Sequence, residues 1–122
     1  MEENLDSPVF NVDEVEWRDL TGLSGARGYE FVPIVDDPAY TRAYSCELVR
    51  LGPADHSVPH VEPWNHLLYF VQGAGELSIG RETWQVRPGT AARVKAGQPH
   101  SLRNAGPGDM LVLAVYDPPR KR

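Results

Sequence analysis

The chain has 122 residues, room for one ordinary domain. Its 12 Lys and Arg stand against 17 Asp and Glu, a formal charge of −5 that argues against a nucleic-acid footprint, and no apolar stretch approaches the roughly 20 residues of a bilayer span. The single cysteine, Cys46, excludes an internal disulfide framework; with an acidic opening (Met1-Glu2-Glu3-Asn4-Leu5-Asp6) that lacks the apolar core of a secretory signal, it points to a reducing, cytoplasmic setting.

Eleven Gly and eleven Pro fall at intervals between short apolar runs, the pattern of an all-β domain with many strands and turns. Residues 1–11 have no steady period and read as a flexible N-terminal segment; residues 12–119 read as one domain. Residues 12–20 alternate imperfectly through Val12, Val15, Trp17 and Leu20, which suggests an edge strand. Residues 21–28 form a loop by composition. Residues 29–35 read as a strand, closed by Asp36-Asp37-Pro38. Residues 40–51 read as a long strand with Arg42, Tyr44 and Cys46 on one face and Ser45 and Glu47 on the other. Periodicity alone leaves open which face is interior, and without a bulge Arg42 and Glu47 cannot both point inward. Further strands are expected at 66–72, 76–79, 83–86, 91–94, 100–104 and 109–116. Cys46 fits a small core residue. The basic run Arg120-Lys121-Arg122 reads as a solvated tail.

Three of the four histidines belong to a pattern. His60 and Glu62 stand two apart, hence on one face of an extended chain, His66 opens a strand, and His100 opens another 34 residues later. Imidazole and carboxylate are the ligand types of Zn, Fe, Mn and Ni, and a closed β-structure brings separate strands to one interior point. Without a metal the same residues would be a polar, half-buried strand surface, and a buried carboxylate would then need a partner. His56, in the Pro53-Ala54-Asp55-His56 loop, reads as a surface histidine, and Asn104 as a turn-forming side chain at a strand end.

These residues resemble the two signature motifs of the cupins. The family's first motif runs histidine, any residue, histidine, three or four residues, glutamate, six residues, glycine. His60, Glu62, His66 and Gly73 stand at those spacings. The second motif is matched by Gly89, Gly97, His100 and Asn104, with Lys95 in place of a proline. Two types are exchanged: the family's second histidine is Glu62 here and its glutamate is His66, so the inventory of three histidines and one carboxylate is kept.

The resemblance implies an all-β cupin double-stranded β-helix, a jelly-roll barrel of six to eight strands. It also implies one divalent metal ion (Zn, Fe, Mn or Ni) on His60, Glu62, His66 and His100, and a homodimer with the N-terminal strand against its partner. Arg42, Tyr44, Glu47, Trp64, Phe70, Gln98 and Leu102 are candidates for the pocket wall; for Trp64, loop packing and substrate contact are both open. The implied function is a metal-dependent enzyme of specialised metabolism on a small oxygenated or amino-acid-like metabolite, with isomerase, cyclase, lyase, N–N bond-forming and dioxygenase reactions all within the family's range. A non-catalytic cupin that senses or stores a metal or small ligand is the alternative.

Overall fold

The structure is a computed structural model that describes residues 7–19, 29–57 and 59–120. Nine strands are seen among them: β1 (Arg18–Asp19), β2 (Tyr29–Val35), β3 (Ser45–Leu51), β4 (Asn65–Gln72), β5 (Gly75–Ile79), β6 (Glu82–Val86), β7 (Ala91–Val94), β8 (His100–Asn104) and β9 (Met110–Asp117). They form a six-stranded sheet of order β1-β2-β3-β9-β4-β7 and a three-stranded sheet of order β6-β5-β8, with antiparallel pairing throughout. The architecture is the expected all-β jelly roll, one strand richer than the six to eight foreseen. The loop at 21–28, the residues before Ser7, Leu20, Lys121 and Arg122 lie outside the described residues.

Strict alternation builds the core. Strand β9 buries Met110, Val112, Ala114 and Tyr116, and β4 buries His66, Leu68 and Phe70, every second residue in each case. All of these but His66 pack with Phe31, Val49, Leu51, Leu77, Val86, Val94 and Leu102 in one cluster between the sheets. On β3 the interior face is the one that carries Ser45, Glu47, Val49 and Leu51.

Two strand expectations are corrected by local turn chemistry. Of the edge strand expected over 12–20, residues 12–17 are not extended ladder, and Leu20 lies outside the described residues. Val12–Glu14 is a 3-10 turn capped by Asn11, whose Oδ1 accepts from Asp13 N at 2.8 Å, and Trp17 Nε1 donates to Val12 O at 3.1 Å. Only Arg18–Asp19 pairs, and it pairs with β2 of the same chain. The long strand at 40–51 begins at Ser45. Asp37 accepts from Ala39 N through Oδ1 and from Tyr40 N and Thr41 N through its carbonyl, and Thr41 Oγ1 accepts from Ala43 N. These short side-chain and turn bonds outcompete the ladder before Ser45. Cys46 is half-buried on the outer face of β3 and is not part of the core cluster.

The two ends of the barrel differ. At one end the chain closes tightly: Gly73 turns with φ +88°, and a Cβ at Gly75 would collide with the Arg103 carbonyl, so β5 can lie against β8 only without a side chain there. Asn104 clasps this end. Its Nδ2 donates to the carbonyls of Leu51, Gly52 and Gly108 at 2.8–3.0 Å, and its Oδ1 accepts from Gly106 N at 2.9 Å. At the other end lie the starts of β3, β4 and β8 and the end of β9.

Asn104→Ala leaves three carbonyls and one N–H without that partner at a site 1% exposed, and is expected to cost about 2–4 kcal/mol. Urea unfolding checks it; a loss below about 0.5 kcal/mol would show the clasp to be dispensable. Burial, and then the Glu47 charge, push the Cys46 thiol up to about 11. Its thiolate at pH 8 is then about 100-fold scarcer than for an unperturbed thiol. Iodoacetamide labelling of the folded protein should be slower by that factor and keep rising tenfold per pH unit past pH 9; a plateau near pH 9 would contradict this.

Candidate metal centre at the open end of the barrel

Four side chains from three parts of the chain meet at the open end. His66 is the first inward residue of β4 and His100 the first residue of β8. His60 and Glu62 lie on the segment between β3 and β4, which runs along β8 as an irregular extra edge. Asn104 N donates to Asp55 O, Ser57 N to Leu102 O and Leu102 N to Ser57 Oγ. His60 and His100 exchange both backbone bonds at 3.0 Å, and Gly97 N donates to Glu62 O. The loop thereby gains the positional order of a strand. His56, expected on the surface, is half-buried and bridges to Arg103 in the same run.

Glu62 is the centre of the group. Its Oε1 lies 3.0 Å from His60 Nε2, 3.2 Å from His66 Nε2 and 3.6 Å from His100 Nε2. Donor atoms of His60, Glu62 and His100 all lie within 4.8 Å of one another, and His66 stands beside that trio, joined through the shared oxygen. Ligands about 2.0–2.2 Å from one ion stand about 3.0–3.6 Å from each other, so this spacing and the donor set of three imidazoles and one carboxylate fit a divalent metal. His100 Nδ1 donates to the Gln98 carbonyl at 3.0 Å, which in the neutral ring leaves the Nε2 lone pair facing the centre. His66 Nδ1 is buried without a hydrogen-bond partner, and that ring is held by edge contacts with Tyr116 and His100, centroids 4.8 Å apart in each case.

The second carboxylate oxygen was not foreseen to have a partner. Arg120 Nη1 lies 2.7 Å from Glu62 Oε2. The guanidinium carbon sits 5.1 Å from the Trp64 ring centroid and 5.2 Å from that of Tyr116, and Arg120 N donates to Ser45 Oγ at 2.9 Å. The solvated tail of the sequence reading is thus corrected at Arg120, whose side chain is only 13% exposed. Pro118 and Pro119, which follow β9, were the sequence signal that the chain turns there. Burial alone would raise the Glu62 carboxyl. The close His100, His60 and His66 rings, with the Arg120 charge, override this and hold it well below the usual carboxylate range. Behind this group Tyr116 OH donates to Glu47 Oε2 at 3.0 Å. Tyr29 packs against the core; burial pushes its phenol up to about 12, against a lowering hydrogen bond with Ser57 and with a further rise from the Glu62 charge.

A cavity of about 780 Å³ opens beside the cluster. Of the expected wall residues, Arg42, Tyr44, Glu47 and Trp64 line it, Arg42 from an exposed position and Glu47 from a buried one. Phe70 and Leu102 lie deeper, in the core cluster, because they are further along their strands than His66 and His100. The Gln98 side chain closes a turn, its Oε1 accepting from Lys95 N at 3.1 Å. No helix among the described residues is long and apolar enough to cross a membrane.

The sequence profile of the "Cupin domain" family matches residues 47–116. An uncharacterised protein of Streptomyces coelicolor is 32% identical over 68 residues, 56% of this chain and 62% of that protein. L-ectoine synthase of Aliivibrio fischeri is 35% identical over 63 residues, 49% of each chain. The chain therefore spans about half to three-fifths of the length of these curated relatives. Among solved structures, the polyketide cyclase RemF of Streptomyces resistomycificus superposes with a TM-score of 0.79 at 22% identity, over 91% of this chain and 79% of its own. With a family profile that takes in more than half of its residues, both motifs included, and the two-sheet jelly roll to match, this chain belongs to the cupin family.

Proposed function

We propose that the protein is a metal-dependent cupin enzyme acting on a small oxygenated or amino-acid-like metabolite, with His60, Glu62, His66 and His100 holding one divalent ion. The observation that carries this reading is the single oxygen, Glu62 Oε1, within 3.6 Å of three imidazole nitrogens. A Zn, Fe, Mn or Ni ion there would supply Lewis acidity toward a chelating oxygen or water and, in the case of iron, redox chemistry. The chain's own contribution is order and shielding. His100 is oriented through Gln98 O, Glu62 is divided between the imidazoles and Arg120, and Trp64, packed on the Tyr116 ring, lines the cavity with Pro119 and Arg120. That one curated relative, L-ectoine synthase, is named for a synthetic reaction supports an enzyme over a sensor.

Protein purified without chelators is expected to carry about one divalent ion per chain. Glu62→Ala removes the only charged ligand, and His100→Ala an oriented donor; each is expected to lower the metal content at least tenfold, while His56→Ala leaves it unchanged. Wild-type protein that takes up none of the four metals would end the proposal, and turnover that does not follow metal content would favour the non-catalytic cupin.

The reading includes a homodimer. On the outer face of β4, Leu67, Tyr69 and Val71 are 45–49% exposed, beside Leu111, Leu113 and Val115 of β9. A contiguous apolar stripe of this kind on a sheet is more often covered than left in water. Sedimentation should give twice the chain mass of 13.6 kDa, and Tyr69→Lys should shift it to the monomer; a wild-type monomer at micromolar concentration would contradict the dimer.

A further inference from the structure

We propose that Arg120 is the anion-reading residue of this site and that the ligand it serves is a small carboxylate, one end at the metal centre and a carboxylate on the free edge of the guanidinium. This deepens the function proposed above and rests on it. A guanidinium offers five N–H donors in a rigid fork, and a carboxylate can take two of them at once. Arg120 spends only Nη1 on Glu62, at 2.7 Å, with Tyr116 OH at 3.5 Å from the same nitrogen. Its Nε and Nη2 have no hydrogen bond among the described residues, and neither is sealed from solvent without a partner. The side chain is nonetheless only 13% exposed, fixed between Trp64 and Tyr116, and it lines the 780 Å³ cavity. A half-used fork held in place at the inner wall of a cavity is preorganised for an oxyanion.

The charge of the cavity points the same way. The whole chain is acidic at −5, yet the cavity is lined by three arginines, Arg18, Arg42 and Arg120, against two acids, Asp36 and Glu47. Glu47 already accepts from Tyr116 OH. The Arg120 charge is shared with Glu62, and Arg18 and Arg42 balance Asp36 and Glu47, so in a chain of net charge −5 this cleft is less repulsive to an anion than the surface at large. Glu62 links the two ends of the proposed ligand site, with Oε1 on the imidazoles and Oε2 on Arg120. Nη1 is therefore separated from the imidazole cluster by one carboxylate, and the free edge lies beyond Nη1 on the other side of the guanidinium, a span suited to a ligand with a few carbons between its chelating group and its carboxylate.

The test titrates succinate, its uncharged analogue succinamide, and imidazole into the Co(II)-loaded protein, read by the visible spectrum of the metal and by amide shifts in NMR. Wild-type protein is expected to bind succinate at least tenfold more tightly than succinamide. Arg120→Gln should lose that preference, with imidazole affinity unchanged as a sign that the metal centre is intact; Arg120→Lys should recover only part of it, because it restores charge without the fork. Equal affinity of wild-type protein for succinate and succinamide, or a preference unchanged in Arg120→Gln, would overturn the inference and leave the metal centre standing. Wild-type protein that binds no Co(II) defeats the functional reading instead, and NMR titration of succinate into metal-free protein then decides the anion site alone: amide shifts that vanish in Arg120→Gln support it, and no shifts refute it.

Discussion

One buried carboxylate organises the open end of this barrel. Glu62 is the negative charge on which three imidazoles and one guanidinium converge, and its side chain is 9% exposed. An isolated carboxylate at that depth would cost several kcal/mol, and its partners have to be supplied by distant parts of the chain. They come from the loop after β3, the starts of β4 and β8, and the tail beyond β9. The strands must close in this order for that charge to be satisfied, so the site and the barrel closure specify each other.

Strand β8 transmits that demand. It begins at His100 in the site and ends at Asn104 in the clasp, so its five residues run between the two ends of the barrel. Between them it pairs with β5 on one side and with the ladder of bonds from the 55–62 segment on the other. The loop that carries His60 and Glu62 has no regular strand of its own, yet a run of backbone and hydroxyl bonds ties it to β8 and to the turn before β8. A ligand set on such a loop keeps its geometry only while β8 is fixed at its far end, and Asn104 supplies that fixation.

How much was legible in the sequence follows from how local each feature is. His60, Glu62 and His66 could be read because alternation in an extended chain fixes their relative facing, and His100 because a family motif ties it to Gly97 and Asn104. The phase of β3 could not be read: the residues on both of its faces are mixed in polarity, and only its pairing with β2 and β9 shows that Glu47 faces inward. Residues 40–44 alternate as a strand would, but Asp37 and Thr41 side chains bond to nearby N–H groups and turn the chain instead. Arg120 was out of reach, since its partner lies 58 positions earlier and nothing in Arg-Lys-Arg distinguishes a solvated tail from one that returns over the barrel.

The exchange of ligand types at 62 and 66 and the position of Arg120 belong to one arrangement. A carboxylate at 66 would leave a strand between the Tyr116 and His100 rings, with both its oxygens directed into the cluster and no cation beside it except through the tyrosine hydroxyl. At 62 it leaves a loop at the rim, where one oxygen reaches the imidazoles and the other stays within reach of the tail. The exchange therefore puts the negative charge on the loop, where the C-terminal cation Arg120 meets it. In a divided carboxylate of this kind the guanidinium draws charge from one oxygen and so tempers the donor strength of the other, the one that faces the three histidines.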